Sequence, residues 1–224
     1  MSQKEFFLPT GRKKWQDCID DADPSALHHL ARYQWAVLVA ESLQPLSMID
    51  IACGSGYGTV MLAESLPNAT VLGVDKDIRA VEESNSRPLP PNCSFVVGDL
   101  TDWSFDLNGL RQKLPFFDLV VSFDTIEHLN HRDLAWLAFQ RSLNQGGTLL
   151  LSTPVLSSGS DVSPKWFAHE IEYGVDDLIQ IAKNHFSSVL QVDDEGFPAG
   201  EFWGELNADK VRYWNNGNPL VLRN

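Results

Sequence analysis

Asp50-Ile51-Ala52-Cys53-Gly54-Ser55-Gly56-Tyr57-Gly58 decides the fold. A β-rich run, Met48 to Ala52, breaks on a glycine-rich turn, and a helix-like stretch, Thr59 to Leu66, follows. Glycines at a strand-to-helix turn let the backbone approach a ligand closely, and the first helical turn offers free N–H groups. The spacing is G-x-G-x-G, which departs from the G-x-G-x-x-G of dinucleotide binders, and Asp50 stands four positions before the first glycine. A carboxylate beside the turn suits a ligand carrying an ammonium group better than one carrying two phosphates.

Outward from this turn, β-rich runs alternate with helical ones. Strands are expected at Met48–Ala52, Thr70–Val74, Ser94–Val97, Asp118–Phe123, Thr148–Ser152, Ser187–Val192 and Leu220–Leu222. Helices are expected at Ser25–Leu43, Thr59–Leu66, Ile78–Ser84, Asp133–Leu143 and Val175–Lys183. This alternation predicts an α/β fold, a doubly wound, mostly parallel seven-stranded sheet with an N-terminal helical extension. One domain over 1–224 is expected, with a helical lid at 1–46, a ligand-binding core at 47–154 and a substrate-side segment at 155–224.

Acids recur at successive strand tips. Gly73-Val74-Asp75 ends the second strand, where a carboxylate can accept both hydroxyls of a ribose, and Gly98-Asp99-Leu100 ends the third, where one can accept from an adenine amino group. Strand-terminal Asp residues also form turns and caps. The signal lies in the ensemble.

The chain has 224 residues, with 30 Asp and Glu against 17 Lys and Arg, a formal net charge of −13. Such a charge repels polyphosphate and makes nucleic acid an unlikely partner. From Asp161 to Lys210 there are eleven acids and three lysines, a net of −8. Cys18, Cys53 and Cys93 are odd in number and far apart, with no CxxC, which suits a reducing cytoplasm. No apolar run reaches the roughly 18 residues of a membrane span. The start, Met1 to Pro9, lacks the apolar region of a signal peptide. A cytoplasmic protein is expected. The sequence says nothing of its oligomeric state.

The turn, Asp75 and Asp99, together with Phe117-Asp-Leu-Val-Val-Ser-Phe-Asp-Thr-Ile-Glu-His-Leu129 and Leu143-Asn-Gln-Gly-Gly-Thr-Leu-Leu-Leu-Ser-Thr-Pro154, resemble class I S-adenosylmethionine-dependent methyltransferases. The flanking pieces Glu5-Phe-Phe-Leu-Pro9, His29-Leu-Ala-Arg-Tyr33 and His169-Glu-Ile-Glu-Tyr173 resemble a branch associated with bacterial glycan and cell-envelope biosynthesis. Where that branch continues Thr-Pro with Asn, this chain has Val155. The resemblance implies S-adenosylmethionine as cofactor, its methionine end over Gly54 and Gly56, its ribose on Asp75 and its adenine near Asp99 and Leu100. Asp50, Cys53, Lys76 and Phe123 belong to the same expected site. The N-terminal helix is expected to lie beside the cofactor with Arg32, and with Tyr33 at the carboxylate end or on the buried stripe.

Glu127, His128 and His169 are the candidates for acid–base work on an acceptor, because an imidazole titrates near neutrality. Asp124, Glu127, His128 and His169 also carry donors that suit a divalent cation, and some methyltransferases acting on RNA 3′ ends or in quinone synthesis use a similar Glu-x-x-Glu-His cluster. Many relatives with the Glu-His-Leu piece bind no metal, and none is expected here. The aromatic residues Trp166, Phe167, Tyr173, Phe186, Phe197, Phe202, Trp203, Tyr213 and Trp214 are expected to be core rather than a stacking surface. The leading expectation is an enzyme methylating a small-molecule or glycan-like acceptor at oxygen or nitrogen. A metal-assisted RNA 2′-O-methyltransferase and a non-catalytic S-adenosylmethionine-binding module are the alternatives.

Overall fold

A computed structural model describes Asp17 and residues 24–102, 104–107, 110–113, 115–156, 159–164, 168–191 and 220–223. The elements run α1 (Pro24–Leu43), β1 (Ser47–Ile51), α2 (Tyr57–Ser65), β2 (Thr70–Asp75), α3 (Ile78–Asn85) and β3 (Cys93–Asp99). They continue with β4 (Ser104–Leu107), β5 (Leu110–Lys113), β6 (Phe117–Phe123), a single 3-10 turn (Ile126–His128), α4 (Arg132–Ser142) and β7 (Leu143–Ser152). The chain ends with β8 (Val155–Leu156), β9 (Tyr173–Gly174), α5 (Val175–His185), β10 (Ser188–Gln191) and β11 (Leu220–Arg223).

The main sheet has the order β10-β11-β7-β6-β1-β2-β3-β4-β5. Strands β3, β2, β1, β6 and β7 are parallel, and β11 runs antiparallel against β7 with β10 beyond it. These are the seven strands expected from the sequence. The β4–β5 hairpin lengthens the β3 edge and was not foreseen. Its strands are only four residues each, and Leu107 pairs with Leu110. A second, two-stranded sheet pairs β8 with β9.

The parallel strands read as unbroken apolar runs because both faces are covered. Alternate residues go to opposite layers: Ile49, Val120, Leu149, Leu151 and Leu222 pack with Trp136 and Phe139 of α4 and with α5. Met48, Leu119, Val121, Leu150 and Val221 pack with Trp35 and Val39 of α1 and with Leu62 of α2. A period of two with both sets apolar defines a strand buried on both sides. Tyr173 and Phe186 belong to the first layer, as expected of core aromatics. The other aromatic residues expected there, Trp166, Phe167, Phe197, Phe202, Trp203, Tyr213 and Trp214, lie outside the described residues. At the N-terminal ends of the strands, Asp118 Oδ2 accepts from the backbone N–H groups of Leu46 and Ser47, and so holds β1 and β6 in register. Among the described residues, no helix is long and apolar enough to cross a membrane.

Candidate active site

The carboxyl ends of β1, β2, β3 and β6 open into one cavity of about 220 Å³, roofed by α1. Its floor is the glycine loop, Ala52 to Ser55 with Tyr57 and Gly58. The loop passes through left-handed backbone at Ala52 (φ 59), Gly54 (φ 54) and Gly56 (φ 75). Gly56 is the N-cap of α2, and a Cβ there would collide with the Phe95 ring and the Ser84 hydroxyl, so both conformation and space demand glycine. Arg87 braces the loop from outside: its guanidinium stacks 4.1 Å over the Tyr57 ring and donates to the Ser55 carbonyl.

Asp75 closes the floor at the tip of β2. Its Oδ2 accepts from Gly54 N–H at 2.8 Å and its Oδ1 from Asp77 N–H at 2.8 Å. Burial raises its pKa while these two bonds oppose the shift. The result is a carboxylate whose position is set by backbone and whose remaining lone pairs face the cavity it lines.

Of the residues expected to touch a cofactor, Tyr33, Cys53, Gly54, Asp75, Lys76, Asp99, Leu100 and Phe123 line the cavity. Asp50 and Gly56 are not on its wall. Asp50 is 0% exposed beneath the loop, where Thr59 Oγ1 donates to its Oδ2 at 2.6 Å and Tyr33 OH donates to its Oδ1 at 3.1 Å. It therefore anchors the loop and α1 from below, and burial pushes its pKa up to about 7.

The opposite end of the cavity is polar. Phe123, Asp124, Thr125, His128 and Leu129 follow β6 there, and His29 and Arg32 descend from α1. Arg32 Nη1 lies 2.9 Å from Asp124 Oδ2, and His29 Nδ1 lies 3.5 Å from the same oxygen. Asp124 adopts φ 50 and its Oδ1 accepts from Ser152 Oγ at 3.3 Å. This contact between α1 and the turn after β6 needed tertiary structure, although a charged residue on the apolar face of α1 was its signal in the sequence.

His128 lines the cavity, whereas Glu127 and His169 stand behind it. The His128 and His169 rings meet edge to face, with centroids 4.9 Å apart. Glu127 is 1% exposed, accepts from Thr153 Oγ1 at 2.8 Å, and has its pKa pushed up to about 8 by burial and by the charge of Asp124. Glu172, which the sequence reading passed over, accepts from His169 Nδ1 at 3.0 Å. Its position three residues after His169 was the available clue.

Residues 48–147 match the family model described as a methyltransferase domain. Over that stretch the chain is similar to methyltransferase domains. Its sequence is 27% identical over 110 residues to the malonyl-[acyl-carrier protein] O-methyltransferase of Priestia megaterium, across 49% of this chain and 37% of that protein. It is 31% identical over 115 residues to phosphoethanolamine N-methyltransferase 1 of Triticum aestivum, across 50% of this chain and 22% of that one. The chain spans well under two thirds of either relative. Its fold is shared with the O-methyltransferase from a trans-AT PKS multienzyme of Brevibacillus brevis, solved in complex with S-adenosyl-L-homocysteine. The TM-score there is 0.59 at 17% identity, covering 84% of this chain and 64% of that one.

Proposed function

We propose that the protein transfers a methyl group from S-adenosylmethionine to the oxygen or nitrogen of a small-molecule acceptor. The observation that carries this reading is the pinned Asp75 carboxylate beside the glycine loop, a fit for a ribose diol, with Asp99 and Leu100 at the next strand tip for adenine. Cys53, Gly54, Lys76 and Phe123 complete the cofactor wall, with Tyr33 above it and Asp50 and Gly56 shaping the loop from below. The cofactor, when bound, supplies a methyl group on a positively charged sulfur that leaves as a neutral thioether.

The chain's own task is then alignment and activation. Holding acceptor and methyl group in line supplies an effective-concentration advantage of up to roughly 7–11 kcal/mol. From the expected lid at 1–46, α1 covers the cavity with Arg32 and Tyr33 on its wall, while 47–154 hold the cofactor and 155–224 form the acceptor side; residues 1–16, 18–23 and 192–219 lie outside the described residues. His128 lines the acceptor end and activates the acceptor, with Glu127 and His169 behind it as its support. The acidic segment 161–210 disfavours nucleic acid as that acceptor. Free thiols at Cys53 and Cys93 support a cytoplasmic setting.

Calorimetry with S-adenosylhomocysteine, followed by transfer of labelled methyl to a panel of carboxylic acids, amines and glycans, tests the proposal. We expect one cofactor per chain and transfer to an acid or amine. Transfer to a glycan alone moves the protein to the envelope branch suggested by its flanking motifs. Absence of cofactor binding by the folded chain removes the proposal altogether.

A further inference from the structure

Arg87 stands one residue past the C-cap of α3, outside the cavity, and reaches 32 positions back along the chain to the glycine loop. Pro88 follows it and disfavours helical backbone at Arg87, so the helix ends there. The Arg87 guanidinium lies 4.1 Å above the Tyr57 ring, and its Nη2 donates to the Ser55 carbonyl. Gly56, between those two residues, donates its N–H to the Cys53 carbonyl at 3.0 Å. The peptide unit joining Ser55 to Gly56 is thereby held from both sides. Ser84 of α3 also approaches this turn, with its hydroxyl 3.5 Å from the Gly54 carbonyl. Its single proton serves the Ala80 carbonyl at 2.9 Å instead. Arg87 is the strong donor that the end of α3 offers to the loop. At the other end of α3, Asp77 caps the helix and donates its N–H to Asp75, which accepts in turn from Gly54 N–H. The β2–α3 unit thus grips the loop twice, through Asp75 at Gly54 and through Arg87 at Ser55 and Tyr57.

Arg87 is half-buried, and its Nε is buried without a hydrogen-bond partner among the described residues. A cation placed this way gives up hydration without a full set of acceptors, which is a poor device for stability alone. What it supplies is its pair of contacts, and both go to residues that line the cavity, Ser55 and Tyr57. A planar guanidinium stacks on a ring and donates in its own plane at once, whereas an ammonium is a point charge that cannot do both. We infer that Arg87 is a positioning residue: through Ser55 and Tyr57 it sets the shape of the loop that receives the methionine portion of S-adenosylmethionine. This rests on the methyl-transfer reading, in which Asp75 takes the ribose and Asp99 and Leu100 the adenine, leaving the glycine loop to the rest of the cofactor. The effect is selective within the cavity. Asp75 keeps its bond to Asp77 N–H whatever stands at position 87, so the ribose and adenine ends do not depend on the guanidinium.

The test compares two ligands by calorimetry on the full-length chain: S-adenosylhomocysteine, and 5′-methylthioadenosine, which keeps the adenine and ribose and lacks the amino-acid end. Arg87→Met should bind S-adenosylhomocysteine roughly tenfold more weakly than wild type, and 5′-methylthioadenosine within about twofold of it. Arg87→Lys keeps the charge and threatens folding least. It should show the same selectivity with a smaller loss, at least about threefold for S-adenosylhomocysteine. Circular dichroism and thermal melts confirm that each variant is folded. A loss of equal size for both ligands marks a general structural role and overturns the inference, as does unchanged S-adenosylhomocysteine affinity in the folded variants. Folded wild type that binds neither ligand overturns the methyl-transfer reading, and this inference with it.

Discussion

The hydroxyl of Tyr33 donates to Oδ1 of Asp50 across 3.1 Å and ties the roof of the cavity to the strand beneath its floor. Asp50 is fully buried, and its second oxygen is held by the Thr59 hydroxyl at 2.6 Å. Burial and the neighbouring carboxylate push the Tyr33 pKa up, so the phenol stays the donor. One buried carboxyl thus couples α1, β1 and α2.

Tyr33→Phe removes that donor and leaves the ring against Phe123, whose centroid is 5.2 Å away. Denaturant unfolding at pH 8 should show a loss of about 1–3 kcal/mol, because a buried charged acceptor is left short of a partner. The loss should be smaller at pH 5, where the Asp50 carboxyl holds its proton. An equal loss at both pH values would separate the bond from the charge of Asp50.

Asp50 also sets a pH dependence. Its folded-state value of about 7 stands above the ordinary 3.8, so between the two the folded chain keeps a proton that the unfolded chain has released. Stability contributed by this group is therefore fully present below about pH 4 and declines as pH rises toward about 7. Asp50→Asn stays neutral throughout and should flatten the slope in thermal melts taken across that range. A decline as steep in the variant as in the parent would assign the slope to other groups.

Gly58 reverses a usual rule. Alanine inside a helix normally gains roughly 0.5–1 kcal/mol over glycine, but a Cβ at Gly58 would collide with the Tyr33 ring. Gly58→Ala should cost more than about 1 kcal/mol. Combined with Tyr33→Ala, the loss should fall short of the sum of the two single losses, since each change relieves the other. Additive losses would show that α1 does not approach α2 at this point.

Asp75→Asn keeps shape and removes charge at the floor of the cavity. Hydrogen bonds to charged groups are worth about 1.5–3 kcal/mol, so S-adenosylhomocysteine should bind roughly tenfold to a hundredfold more weakly. Calorimetry on protein with unchanged circular dichroism reads this directly. Unaltered affinity would remove Asp75 from the cofactor site.

The sequence by itself determined the parallel sheet, the glycine loop and the acids at the tips of β2 and β3. Those features are local: apolar runs of strand length, glycine where the chain turns, and an Asp at each strand end all sit within a few residues of one another. The β4–β5 hairpin was not legible, because four-residue strands carry too little periodicity to stand alone. The depth of Asp50 was not legible, because a carboxylate near a turn looks alike whether it faces a ligand or lies beneath the loop. Only packing α1 onto α2 put Tyr33 over it. The same holds for Arg32 on Asp124 and for Glu172 behind His169 on the far wall. Their partners come from segments that meet only when the sheet, its roof and the chain after β7 are assembled. Which donors converge is a property of three-dimensional distance, and spacing along the chain does not encode it.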